Sequence, residues 1–217
     1  MSLPEKPRMF WRYRIYPSSI VHIGAHRGTE ADFYSKYCDG PVFWFEAVPK
    51  LHASLVQNIS KFGNQHAYCA FLSDVDGADE TMKITSNDGQ SSSILDFGSH
   101  KTQHPDVRVI GKIPVKTVRL DTFLRTHNIG IPRGSFLTLD VQGVEDRVLR
   151  GLGDQIQKFD WIYCEVNRRM NGEDTYKGCP PVEELDAFLA PHGFERRETW
   201  WFSEKHSWGD CLMVRKI

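Results

Sequence analysis

VHIGAHRGTE, residues 21–30, runs an apolar stretch into Gly24, a His-Arg pair, Gly28 and then a helix-forming segment. A strand that ends in glycines and turns directly into a helix brings its backbone close to a ligand, and the helix N-terminus that follows favours negative charge. The next apolar run, PVFWFEA (41–47), is nearly continuous, as strands buried on both faces of a parallel sheet are. It ends on Glu46, about 20 residues past the glycine turn, where an acid suits the two hydroxyls of a ribose. Turn and strand-end acid together point to a nucleotide-like ligand in an open α/β sheet.

Working outward, strands and helices alternate. Ile20–Gly24 reads as the first strand and Thr29–Tyr37 as a helix; Leu51, Leu55 and Ile59 recur at helical spacing after Pro49, and HAYCAFL (66–72) reads as a third strand ending at Ser73-Asp74. Residues 77–114 carry turn signals and read as an irregular excursion. VKTV (115–118) is a strand, and a short helix starts at Asp121 or Thr122 and runs through Leu124. SFLTLD (135–140) is the fourth main strand. Val144, Val148, Leu149 and Leu152 share a helix face, DWIYCEVN (160–167) is a strand, and a helix over Val182–Leu189 stops near Gly193. FERRETWW (194–201) and DCLMVRK (210–216) close the chain; their connection is too short for a helical crossover, so they pair antiparallel. The expectation is one α/β domain over residues 1–217, with a doubly wound, mostly parallel sheet and an antiparallel C-terminal strand; residues 1–19 form an N-terminal extension that either packs on the sheet or acts as a lid.

A net charge of −1 over 217 residues argues against a general binder of nucleic acid or of membrane surfaces, but leaves room for a local basic patch. The five cysteines lack metal or redox spacing and read as reduced thiols. The N-terminus lacks the apolar run of a signal peptide, and no stretch approaches the roughly 20 apolar residues of a membrane helix. These readings suggest a cytoplasmic protein without membrane insertion.

A dinucleotide fingerprint needs a central glycine to admit a pyrophosphate. Residues 24–28 read G-A-H-R-G instead, which better suits a ligand with an amino-acid end, such as S-adenosylmethionine. In order, VHIGAHRGTE, FWFEAVPKLHASLVQNI, AFLSDVDG, SSSIL, VKTVRLDTFL and FLTLDVQGVEDRVLRG resemble the segments of the FkbM-type methyltransferases over about residues 20–167. The resemblance implies a Rossmann-like class I methyltransferase fold, S-adenosyl-L-methionine as cofactor, and a hydroxyl acceptor on a saccharide or natural-product small molecule rather than nucleic acid. It further implies that Gly24, Ala25, His26 and Gly28 form the cofactor turn, that Glu46 and Ala47 meet the ribose, and that Ser73 and Asp74 lie near the adenine. His22 and His26 stand where the family commonly has Asp and Asn.

Transfer of a methyl group to a hydroxyl needs alignment and removal of a proton. Asp140, Glu145 and Glu165 are the carboxylate candidates. Asp140 ends the fourth strand, where it reads as base or as cofactor contact, while Glu145 reads equally as a helix-dipole carboxylate. Asp140, Glu165 and Asn167 would offer three oxygens to magnesium, a trio that chance also produces. Trp200, Trp201, Phe202, Trp208 and His206 suit stacking on a sugar ring or packing in the core, and Ser91–Ser93 suit an acceptor pocket or a plain polar loop. Two other classes stay open: a nicotinamide-dependent oxidoreductase, and a cofactor-binding module without catalysis.

Overall fold

The computed structural model describes residues 5–216. In chain order the elements are α1 (Glu5–Arg12), β1 (Ile20–Ile23), α2 (Ala31–Tyr37), β2 (Val42–Glu46), α3 (Pro49–Ile59), β3 (Gln65–Cys69), β4 (Phe71–Leu72), β5 (Asp79–Thr85), α4 (His100–Gln103) and β6 (Val109–Val118), then α5 (Leu120–Thr126), β7 (Ser135–Leu139), α6 (Glu145–Gly151), β8 (Phe159–Asn167), α7 (Val182–Leu189), β9 (Phe194–Trp201) and β10 (Trp208–Arg215).

Seven strands form one sheet in the order β3-β2-β1-β7-β8-β10-β9. From β3 to β8 neighbours are parallel, and β10 runs antiparallel to both β8 and β9, as the short connection requires. β1, β2 and β7 are buried at every residue, which explains their largely apolar character. One side packs Val21, Ile23, Leu137 and Leu139 against Leu120, Leu149 and Leu152. The other packs Ile20, Val42 and Phe136 against Tyr34, Leu55 and Phe10. α1 closes this second layer: Met9 and Phe10 are buried, and Phe10 meets Phe33 and Phe136 with ring centroids 5.0 Å apart.

Two sequence expectations need correction. HAYCAFL is not one strand. β3 ends at Cys69 beside Glu46, and Phe71–Leu72 leave the main sheet to pair with β6. The excursion at 77–114 is largely ordered: β5 and the long β6 pair antiparallel, and with β4 they build a second, three-stranded sheet in the order β4-β6-β5. VKTV is only the end of β6. This small sheet carries residues 86–108 over the carboxyl ends of the main strands.

Candidate active site

β1 and β7 lie side by side at the point where the strand order reverses, and a cleft of about 680 Å³ opens beyond their carboxyl ends. This is where open α/β sheets place ligands, and the volume is in the usual range for a small-molecule site. Gly24 (φ 81°) leads from β1 into the turn, and a Cβ there would collide with the Asp140 carbonyl. The fit between the two strand ends therefore requires glycine.

Glu46 holds this turn shut. Its carboxylate accepts the amides of His26 at 2.7 Å and Val48 at 2.8 Å, and burial raises its pKa despite both bonds. His26 (φ 50°) reaches the Asp88 carbonyl at 2.9 Å, while Arg27 grips the Asp88 carboxylate at 2.8 and 2.6 Å. Residues 87–92 are thereby tied across the cleft mouth. His22 is buried and stacked on Trp44 at 5.0 Å; Tyr34 lies between it and Thr138, 3.2 and 3.0 Å away. Loss of solvent pushes the His22 pKa down to about 4, so the ring is neutral.

Asp140 and Glu165 face the cleft from β7 and β8. Between them sits Gln142, whose amide nitrogen donates to Asp140 and, at 3.0 Å, to Glu165; the Tyr176 hydroxyl donates to its carbonyl oxygen. Gln142 has φ 57°, a conformation that costs a non-glycine residue energy, and the Ser93 hydroxyl, donating to its carbonyl at 2.7 Å, helps to hold it. Asp140 is open to the cleft, yet enclosure by protein raises its pKa to about 6, with the Asp210 charge adding to the rise. Glu165 is pushed much further, first by burial and then by the charges of Asp140 and Glu145. Burial therefore favours the protonated form at both carboxyls, and nearby negative charge adds to this at Glu165.

A family model for the methyltransferase FkbM domain matches residues 22–196. The chain belongs to the FkbM methyltransferase domain family. No curated protein matches it. Solved structures share the fold of this FkbM domain at low identity. Magnesium protoporphyrin IX methyltransferase from Synechocystis PCC 6803, with bound SAM, matches at 9% identity and TM-score 0.53, over 98% of this chain and 77% of that one. Fibrillarin from Aeropyrum pernix, with natively bound S-adenosyl-L-methionine, matches at 13% and 0.52, over 92% and 68%. Precorrin-6y C5,15-methyltransferase from Geobacter metallireducens matches at 11% and 0.52, over 100% and 90%. The architecture of the FkbM domain is thus that of the class I methyltransferases.

Of the expected site residues, Gly24, Ala25, His26, Glu46, Ala47, Asp140 and Glu165 all line one cleft. Others do not. Glu145 is buried beneath the 140–145 turn, where it accepts the amides of Val141 at 3.2 Å and Gly143 at 3.1 Å, and burial raises its pKa to about 7. It shapes the turn and lies outside the cleft lining. Ser73 and Asp74 are carried off with β4: Ser73 packs its carbonyl on Gly151 and bonds Asp74 at 3.1 Å, while Ala70, Phe71 and Leu72 line the cleft instead. Asn167 is buried at the carboxyl end of β8 but outside the cleft lining. The Gln142 amide fills the space between Asp140 and Glu165 with N–H groups, so the expected trio does not converge on a cation. Trp208 lines the cleft, whereas Trp200 and Trp201 pack along β9, and exposed Phe202 stacks on Trp208 at 4.6 Å.

Several functional residues escaped the sequence reading. Gln142 had a signal in V-Q-G-V-E, a polar residue beside a glycine at a strand end. His100 and His104 line the cleft opposite Glu165, with rings 4.9 Å apart, and His104 accepts the Trp208 indole N–H at 3.3 Å. Burial lowers both histidines, His100 to about 4, so this wall is aromatic and neutral. Lys6 of α1 pairs with Glu30 at the cleft rim, 2.7 Å apart.

Proposed function

We propose that the protein is an S-adenosylmethionine-dependent O-methyltransferase whose acceptor is an uncharged, hydroxyl-bearing ring such as a saccharide. The observation that carries this reading is the carboxyl-rich lining of the cleft. Glu30, Glu46, Asp88, Asp140 and Glu165 line it, whereas its one arginine, Arg27, is engaged by Asp88. An acid-lined cleft suits a sulfonium cation with an ammonium group. It opposes a pyrophosphate or a phosphodiester, which a basic lining would attract. Ala25 and His26 occupy the place where a dinucleotide turn needs glycine. The neutral wall of His100, His104 and Trp208 offers flat faces and uncharged hydrogen-bonding groups, as a sugar ring requires.

The cofactor, when bound, supplies a methyl group activated on sulfonium sulfur. The chain's own task is to hold the acceptor hydroxyl in line and take its proton. Asp140 is the base: it is ionised at neutral pH with a pKa of about 6, close to the range in which a base is both available and effective. Gln142 fixes its orientation by donating to its carboxylate, and the same amide donates to Glu165, whose burial favours the protonated form.

S-adenosylmethionine or S-adenosylhomocysteine is expected to raise the melting temperature, whereas NAD and NADP leave it unchanged, because a ligand stabilises only the fold it binds. A shift with a nicotinamide dinucleotide and none with either sulfur compound would return the oxidoreductase reading. Tight binding of the sulfur compounds without turnover on any hydroxylated acceptor would instead favour a binding module.

Glu46→Ala is expected to weaken S-adenosylhomocysteine binding by about 1–3 kcal/mol in calorimetry, through loss of a charged acceptor at the turn. Glu46→Gln keeps one acceptor oxygen and should lose less. Unchanged affinity in Glu46→Ala places the ribose elsewhere.

A further inference from the structure

We propose that the outer face of α1 and the turn after it form a docking surface for an anionic phospholipid membrane. Two of the largest exposed apolar side chains of the described residues lie within six positions of each other: Trp11 is 80% exposed and Tyr16 is 74% exposed. Arg8 and Arg14 are exposed beside them, as is Arg12, whose guanidinium pairs with Glu198 at 3.2 Å. The helix is amphipathic, with Lys6, Met9 and Phe10 buried, so Arg8, Trp11 and Arg12, three and four residues apart, share the outward face.

The end of the helix keeps this face in place. The Ile15 amide bonds the Phe10 carbonyl at 2.9 Å and the Arg14 amide bonds the Trp11 carbonyl at 3.3 Å, the pattern of a Schellman cap, with Ile15 and Phe10 in the same core cluster. The left-handed residue of such a cap is usually glycine. In this chain it is Arg14, at φ 50°. A strained position therefore carries an exposed guanidinium between the two exposed rings.

The chemistry fits a lipid headgroup layer. Arginines attract anionic headgroups, and tryptophan and tyrosine rings settle at headgroup depth. A nucleic-acid strand also takes arginines and aromatic rings, but it tracks a groove. The patch is the convex outside of a helix, none of its five residues lines the cleft, and the cleft is acidic. A flat anionic surface needs only tangential contact.

The test is co-sedimentation of the full chain with extruded vesicles of phosphatidylcholine containing about a third phosphatidylserine, at low salt. Binding is expected to the anionic vesicles, to fall in 0.5 M NaCl, and to be absent with pure phosphatidylcholine. Arg8→Ala and Arg14→Ala should each weaken it about fivefold, since an arginine near such a surface is worth about that factor. Trp11→Ala should weaken it and remove a blue shift of the emission. All three side chains are exposed, so melting temperatures within a few degrees of wild type separate lost docking from lost folding. Equal binding to neutral vesicles, no binding to anionic ones, or variants that bind as wild type overturns the proposal. Tighter binding of a fluorescent oligouridine than of the vesicles assigns the patch to nucleic acid and overturns it too.

Discussion

Asp140→Asn is expected to fold, to keep most of its affinity for S-adenosylhomocysteine, and to lose turnover by about 10²–10⁴, the usual scale for deleting a general base. The amide preserves the shape at the end of β7, but it cannot accept a proton. The wild-type profile supplies a second reading of the same group. With the Asp140 pKa raised to about 6, the rate should climb as pH rises through that value and level off above it; below it the base is protonated and idle. Asp140→Asn should lack that rise. Chelation separates acid-base from metal chemistry at the same carboxylates. With the Gln142 amide lying between Asp140 and Glu165, activity should withstand EDTA. Activity abolished by EDTA and restored by magnesium would require the amide to swing away and a cation to take its place. Normal turnover in Asp140→Asn on a true acceptor removes the base from Asp140 altogether, and Glu165 becomes the next carboxylate to test.

The strands that build the site were readable because they are buried on both faces. Burial on both faces leaves a largely apolar run, and the first polar residue past such a run, Glu46 or Asp140, marks the strand end on the ligand side. The antiparallel closing pair followed from a connection that no helix could fill. β5 and β6 were hidden for the opposite reason. Their residues are mostly half-exposed or exposed, so Lys, Thr and Asp interrupt the pattern, and neither a continuous nor an alternating signal survives. The break between β3 and β4 falls at Ala70, without glycine or proline to announce it, and it moved Ser73 away from the cleft. Glu145 illustrates a limit of spacing arguments. Its place in the first turn of α6 was evident, but whether its carboxylate turns outward to a ligand or back under Gly143 depends on the φ of 100° at that glycine. His22 was legible as a departure from the family pattern. Its consequence, a neutral ring under Trp44, needed the burial to be seen.

Lys6 belongs to the part that no local pattern reveals, because its partner Glu30 is 24 residues away and the two meet only when α1 packs on the sheet. Lys6→Met is expected to destabilise the protein by about 3–5 kcal/mol at neutral pH in urea unfolding, the usual penalty for leaving one member of a buried ion pair behind. The side chains are 10% and 17% exposed, so solvent screens the pair little; Met retains most of the apolar stem but not the ammonium, which also lies 5.5 Å from the centre of the Tyr163 ring. The pH dependence separates charge from packing. Burial is the largest single influence on Glu30 and would raise its pKa, but the Lys6 charge, the Lys6 hydrogen bond and smaller contributions together bring the carboxyl down to about 2. A depressed carboxylate contributes its stability above its unfolded pKa, roughly 4.3, and loses it as pH falls toward the folded value. The gap between wild type and Lys6→Met should therefore be full above about pH 5 and shrink as the pH falls from there toward 2. A gap that stays constant across this range means that Lys6 contributes packing alone. Adding Glu30→Gln to Lys6→Met should recover part of the loss, since the orphaned charge is gone. Because Glu30 also lines the cleft, the single variant is expected to bind S-adenosylhomocysteine less tightly even below its melting range. That loss would tie the position of α1 to the cofactor end of the site.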